Sequence, residues 1–102
     1  MRIALDIDGT IDEHPEFFSW LSHQADYVAI ITDSDELFRP QIWQRLENMN
    51  IKYDHLFITP HKTAICRQME IDFFLDDDIG YFTGFKGNVT TFTLGRLAAE
   101  RR

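Results

Sequence analysis

Asp6 and Asp8 stand two residues apart at the end of a short apolar run, Ile3-Ala4-Leu5, and Gly9 follows at once. Carboxylates that close repel each other and need a cation or a shared proton. A second acidic string, Asp76-Asp77-Asp78, closes another apolar run, Phe73-Phe74-Leu75. Apolar runs that stop in charge read as buried strands whose last residues emerge at the edge of a sheet. In an open parallel sheet that carboxyl edge is where ligands bind. The two acidic strings are therefore candidates for one shared site, and Gly9 supplies the freedom for a sharp turn beside it.

The rest of the chain must position these ends. Apolar, β-branched segments alternate with helical ones, which favours an α/β fold with parallel neighbours. Strands are expected at about 2–8, 27–32, 56–58, 73–75 and 89–94. Pro15 suits the first turn of a helix carrying Phe17, Trp20 and Leu21 on one face, and Pro40 the start of a second carrying Ile42, Leu46 and Met49, with Trp43 beside them. Core packing is the expectation for both sets. Asn48 to Asn50 reads as a helix end. Thr59 with Pro60 reads as the cap and first position of a third helix running to about Met69. The stretch 79–88, with Gly80, Gly84 and Gly87, is a loop or a weak helix, and 95–102 suits a short basic helix.

Composition narrows the function classes. The 102 residues suffice for one domain with one core, and 44% hydrophobic content argues against disorder. A net charge of −7 disfavours a general nucleic-acid binder, which needs a basic face. Single Cys66 cannot form an internal disulfide, and it reads as a small helix residue rather than a nucleophile. His14, His23, His55 and His61 lack the tight spacing of a transition-metal site. The opening residues lack a signal-peptide pattern, and no apolar stretch is long enough to span a bilayer. The expectation is a single cytoplasmic domain over residues 1–102 with no membrane partner.

Asp6-Ile7-Asp8-Gly9-Thr10 after a hydrophobic strand resembles the first motif of the haloacid dehalogenase (HAD) superfamily. Three further features stand at successive strand ends in that family's order: Thr32, Lys62, and the Asp76-Asp77 pair. The resemblance covers nearly the whole chain. It implies a Rossmann-like three-layer sandwich with a mainly parallel five-stranded sheet in the order 5-4-1-2-3. It also implies a Mg²⁺-dependent phosphomonoester hydrolase working through an aspartyl phosphate. Asp6 would then be nucleophile and metal ligand. Asp8 would be general acid and then base, with its backbone carbonyl also meeting the metal. Thr32, with Ser34 as a second candidate, would donate a hydroxyl to phosphate, and Lys62 and Gly9 would join them in holding it. Asp77 is the first choice for the further metal ligand and Asp76 for orienting Lys62, their order left open. Asp78 reads as a cap for the next segment.

The chemistry is consistent with those roles. Phosphoryl transfer needs a nucleophile, charge neutralisation and positioning, and a carboxylate can serve as that nucleophile. Carboxylate and phosphate repel, so a hard cation such as Mg²⁺ belongs between them. The gaps where the family inserts a cap domain, 9–14 and 59–61, are too short for one, so the site is expected to be open. An open site suits a phosphorylated small molecule, including a nucleotide, or the phosphorylated end of a polynucleotide or other macromolecule. It also leaves room for a second copy of the chain as a lid, and Tyr81, Phe82 and Phe85 are candidates to line such a contact, although core packing explains them as well. The alternative reading is a phosphate- or metal-binding module of the same fold without turnover. A receiver domain is disfavoured because Leu56-Phe57-Ile58 is not followed by aspartate.

Overall fold

The computed structural model describes residues 1–76 and the backbone of 90–92. The expectations for 77–89 and 93–102, including those for Asp77, Asp78, Tyr81, Phe82, Phe85 and a last helix, lie outside the described residues.

Along the chain the elements are β1 (Arg2–Leu5), α1 (Pro15–Gln24), β2 (Tyr27–Thr32), α2 (Arg39–Asn48), β3 (His55–Ile58), α3 (Lys62–Gln68), β4 (Phe73–Leu75) and β5 (Thr90–Phe92). Short 3₁₀ turns at Ile11–Glu13 and Glu36–Phe38 precede α1 and α2. The described strands form one sheet in the order β3-β2-β1-β4-β5, every pair parallel. Counted from the opposite edge this is 5-4-1-2-3.

Side-chain alternation divides the strands between two cores, as the two-residue period of a strand requires. Ile3, Leu5 and Ile7 pack with Val28 and Ile30 against Phe18 of α1 and Ile42 and Leu46 of α2. Ala4, Ala29, Ile31 and Phe74 pack against Cys66 of α3 on the other face, where Ile65 and Met69 join them. Helices thus cover both faces of a parallel sheet, and all six residues of β2 are buried. Among the described residues, no helix is long and apolar enough to cross a membrane.

Several sequence expectations need correction. Phe17 and Trp20 are not core residues, nor is Trp43; each is about half exposed or more. Phe18 and Ser22 form the buried stripe of α1, with Leu21 packed at its edge, so the stripe lies one residue over from the Phe17 face. The buried Ser22 hydroxyl is satisfied, donating to the Ser19 carbonyl (2.7 Å) and accepting from the Lys52 amide (3.0 Å). On α2 the stripe is Ile42 and Leu46, with Met49 packed against it, and Trp43 falls outside. Thr59 does not cap α3: the helix starts at Lys62, and the Thr59 hydroxyl accepts from the His61 amide at 3.1 Å in a local turn. Strand β1 ends at Leu5 rather than Asp8, although the Asp6 amide still donates to the Leu75 carbonyl at 3.1 Å.

Both α2 and α3 end in the same way. Asn50 and Glu70 adopt positive φ, 55° and 54°. The following amides, Ile51 and Ile71, donate to the Leu46 and Cys66 carbonyls, each at 3.0 Å. The Asn50 and Glu70 amides close the inner bonds to Glu47 and Arg67. These are Schellman terminations, and Ile51 and Ile71 fold back into the same cores as Leu46 and Cys66. Each reverses the chain toward the next strand, which sets where β3 and β4 begin.

Candidate functional site

The site is built where β1 and β4 end side by side. Leu5 pairs with Leu75, so the next residues, Asp6 and Asp76, stand level on neighbouring strands. Alternation sends both to the α3 face, Asp6 in step with Ala4 and Asp76 in step with Phe74. Lys62 opens α3, and one helical turn later Cys66 packs into that face. The lysine side chain is carried inward with the same stripe.

The Lys62 ammonium accordingly donates to Asp6 Oδ1 at 2.9 Å and to Asp76 Oδ2 at 2.8 Å. All three side chains are buried. Among the described residues, two carboxylates share one ammonium in a place with little water. Burial pushes the Asp6 carboxyl up from 3.8 to about 7; the Lys62 charge opposes that shift and the Asp76 charge adds to it. Burial works against the Lys62 ammonium as well, but its hydrogen bond to Asp76 and the charge of Asp6 hold it above the ordinary lysine range. Asp6 is thus a carboxyl poised near neutrality, the type of perturbation that gathers at functional sites.

The other predicted positions among the described residues lie at or after the ends of β1 and β2. Thr32 is buried at the end of β2, in step with Val28 and Ile30 and so on the α1/α2 side, and its carbonyl accepts from the Thr59 amide at 2.9 Å. Ser34 is exposed in the loop that follows. Gly9 has φ 76°, the left-handed turn its position requires, and its amide donates to Asp12 Oδ1 at 2.7 Å. Asp8 is exposed and its carboxylate accepts from Arg45 Nη2 of α2 at 3.0 Å. The same guanidinium lies 3.8 Å from Asp12. Cys66 is buried with its thiol pushed up to about 12, chiefly by burial, and has no nucleophilic character at neutral pH.

Three residues were not visible as site components in the sequence. Arg45 sits on α2 beside the core residue Leu46, and nothing in the pattern links it to Asp8. Asp12 binds the Gly9 amide from within the 3₁₀ turn. Thr10 is wholly buried, and its hydroxyl has no hydrogen-bond partner among the described residues. Its motif position marked a turn rather than a buried hydroxyl.

The described oxygen donors of the cluster are the Asp6 and Asp76 carboxylates, a type that suits a hard cation such as Mg²⁺. A cation beside Asp6 would also favour its ionised form, which burial and Asp76 disfavour. Among the described residues no group of three or more His, Cys, Asp or Glu side chains is arranged to hold a metal. Asp6 and Asp76 supply two carboxylates, and the third candidate, Asp77, lies outside the described residues. No protein-family model, curated protein or solved structure matches the chain.

Proposed function

We propose that this chain is a HAD-like Mg²⁺-dependent phosphomonoester hydrolase with a single capless catalytic domain. The observation that carries the reading is the buried Lys62 ammonium held between Asp6 and Asp76 at the carboxyl ends of two adjacent parallel strands. A buried cation between a nucleophile candidate and a second carboxylate is what an anionic, trigonal phosphoryl group needs beside it.

In this reading an Asp6 carboxylate oxygen attacks phosphorus, and the bond from phosphorus to the ester oxygen breaks. Asp8, at the exposed mouth of the site, gives its proton to the departing alkoxide. It then takes a proton from the water that attacks the phosphorylated Asp6, which releases phosphate and restores the carboxylate. Lys62 keeps Asp6 directed and offsets negative charge, while Asp76 fixes the ammonium from the other side. Thr32, the last residue of β2, and Ser34, in the loop after it, would offer hydroxyls to phosphate oxygens. Mg²⁺ held by Asp6, the Asp8 carbonyl and Asp76 or Asp77 would supply charge neutralisation between carboxylate and phosphate. Substrates are phosphomonoesters, as small molecules or exposed macromolecular ends, and the acidic chain disfavours long nucleic acid.

The Asp8–Arg45 pair favours a second reading, a phosphate- or metal-binding module without turnover. In that reading the Asp8 carboxylate serves as the partner of Arg45 rather than as an acid. Hydrolysis of an aryl phosphate with and without Mg²⁺, by the wild type and Asp6→Asn, separates the two. The phosphatase reading expects turnover that needs both the metal and Asp6. Binding without hydrolysis across a broad phosphomonoester panel supports the module.

A further inference from the structure

Large apolar side chains that face solvent from a firmly held turn call for a reason, because such exposure forgoes the stabilisation of burial. Leu37 is 80% exposed and Phe38 54% exposed, and they are neighbours on the 3₁₀ turn at Glu36–Phe38. The turn is pinned from several sides. Asp35 Oδ1 accepts from the Leu37 amide at 2.9 Å, and the Asp35 carbonyl from the Phe38 amide at 2.9 Å. Glu36 and Arg39 form a two-point pair at 2.7 and 2.8 Å, and Arg39 Nη1 also donates to the Leu56 carbonyl of β3 at 3.3 Å. The turn follows β2 and therefore stands beyond the same sheet edge as Asp6 and Asp76. With neighbouring strands about 5 Å apart, β2 and β3 lie roughly 5 and 10 Å from β1. That span is the reach of an aromatic group esterified to a phosphate at Asp6. The sequence between β1 and α1, only residues 6–14, supplies no cap to fill this space.

We propose that Leu37 and Phe38 form an apolar lip that selects phosphomonoesters with a flat aromatic leaving group over small polar ones. The proposal rests on the phosphatase reading and deepens it by naming the substrate class. Phosphate is held at the strand ends, and the aromatic group is covered by the lip in place of a cap domain. A ring against Phe38 gains both burial and ring–ring contact.

The test compares kcat/KM for phenyl phosphate and methyl phosphate with Mg²⁺ in the wild type, in Leu37→Ser/Phe38→Ser and in Trp20→Ser. Trp20 is a comparably exposed aromatic side chain on α1 and serves as the control. The lip predicts that the phenyl-over-methyl preference falls about tenfold or more in the double variant, mostly through KM, and stays in Trp20→Ser. An unchanged preference in the double variant, or an equal fall in Trp20→Ser, overturns the lip while leaving the phosphatase reading intact. If the wild type hydrolyses neither ester, the phosphatase reading fails separately. Calorimetric titration of the wild type with the same two esters then decides the lip: tighter phenyl phosphate binding that the double variant loses supports it, and equal or undetectable affinity overturns it.

Discussion

The Lys62 ammonium lies 2.8 Å from the Asp76 carboxylate and 2.9 Å from that of Asp6, and water reaches almost none of the three side chains. A buried charge cluster of this kind is costly to assemble and costlier to break, because removing one partner strands the others. The arrangement leads to expectations about stability as well as about chemistry.

Lys62→Met removes the cation that, among the described residues, lies between the buried Asp6 and Asp76 carboxylates. We expect a loss of about 3–5 kcal/mol of unfolding free energy, read from urea denaturation at pH 8. The loss should be smaller at pH 5, where Asp6 can take up a proton. A loss below about 1 kcal/mol at pH 8 would mean that the triad carries little interaction energy.

Asp6→Asn has a pH signature with a definite sign. The folded protein holds the Asp6 proton up to about pH 7, against an ordinary carboxyl value of 3.8. The folded state therefore binds more protons than the unfolded state between these values. The resulting stabilisation is complete below 3.8 and is lost as pH rises through about 7. Asp6→Asn cannot lose it. Without metal, the variant should gain on the wild type by up to about 3 kcal/mol between pH 5 and pH 8. A constant difference across that range, measured by denaturation in the presence of a chelator, would contradict a poised Asp6.

Glu70 holds a left-handed backbone at φ 54°, where a side chain costs energy that glycine avoids. Glu70→Gly should stabilise the fold by about 1 kcal/mol, the strain relieved less the added entropy of the unfolded chain. Asn50→Gly should gain less, because asparagine tolerates this region. Thermal unfolding of the two variants checks the order.

Thr10 buries a hydroxyl without a partner among the described residues. Thr10→Val keeps the shape and removes the unsatisfied group, so a gain of about 1 kcal/mol is expected in chemical denaturation. A loss of similar size would show that the hydroxyl has found a partner in solution.

The sheet was legible because its strands are apolar runs bounded by turns and charge, as in Tyr27-Val28-Ala29-Ile30-Ile31-Thr32. The two short carboxyl ends were visible in the same way: Leu5 to Asp6 and Leu75 to Asp76 are abrupt changes from apolar to acidic. Which face of a helix turns inward was less legible. Phe17 and Trp20 on α1 offer more apolar surface than Phe18 and Leu21, and the sequence pattern gives preference to surface rather than to the orientation that tertiary packing imposes. The exposed pair Leu37-Phe38 and the link from Arg45 to Asp8 were not legible, since both depend on where α2 docks. Lys62 was visible as a lysine after β3. Its burial follows from being in step with Cys66, and only the packed face of α3 reveals that.

The most direct test of the nucleophile is chemical. Wild-type protein turning over an aryl phosphate with Mg²⁺ should be quenched, reduced with borohydride, digested and sequenced by mass spectrometry. An aspartyl phosphate is reduced to homoserine, so the expected result is homoserine at position 6 and at no other aspartate, dependent on both substrate and Mg²⁺. Turnover that continues with Asp6 unmodified, and undiminished in Asp6→Asn, would contradict the central claim.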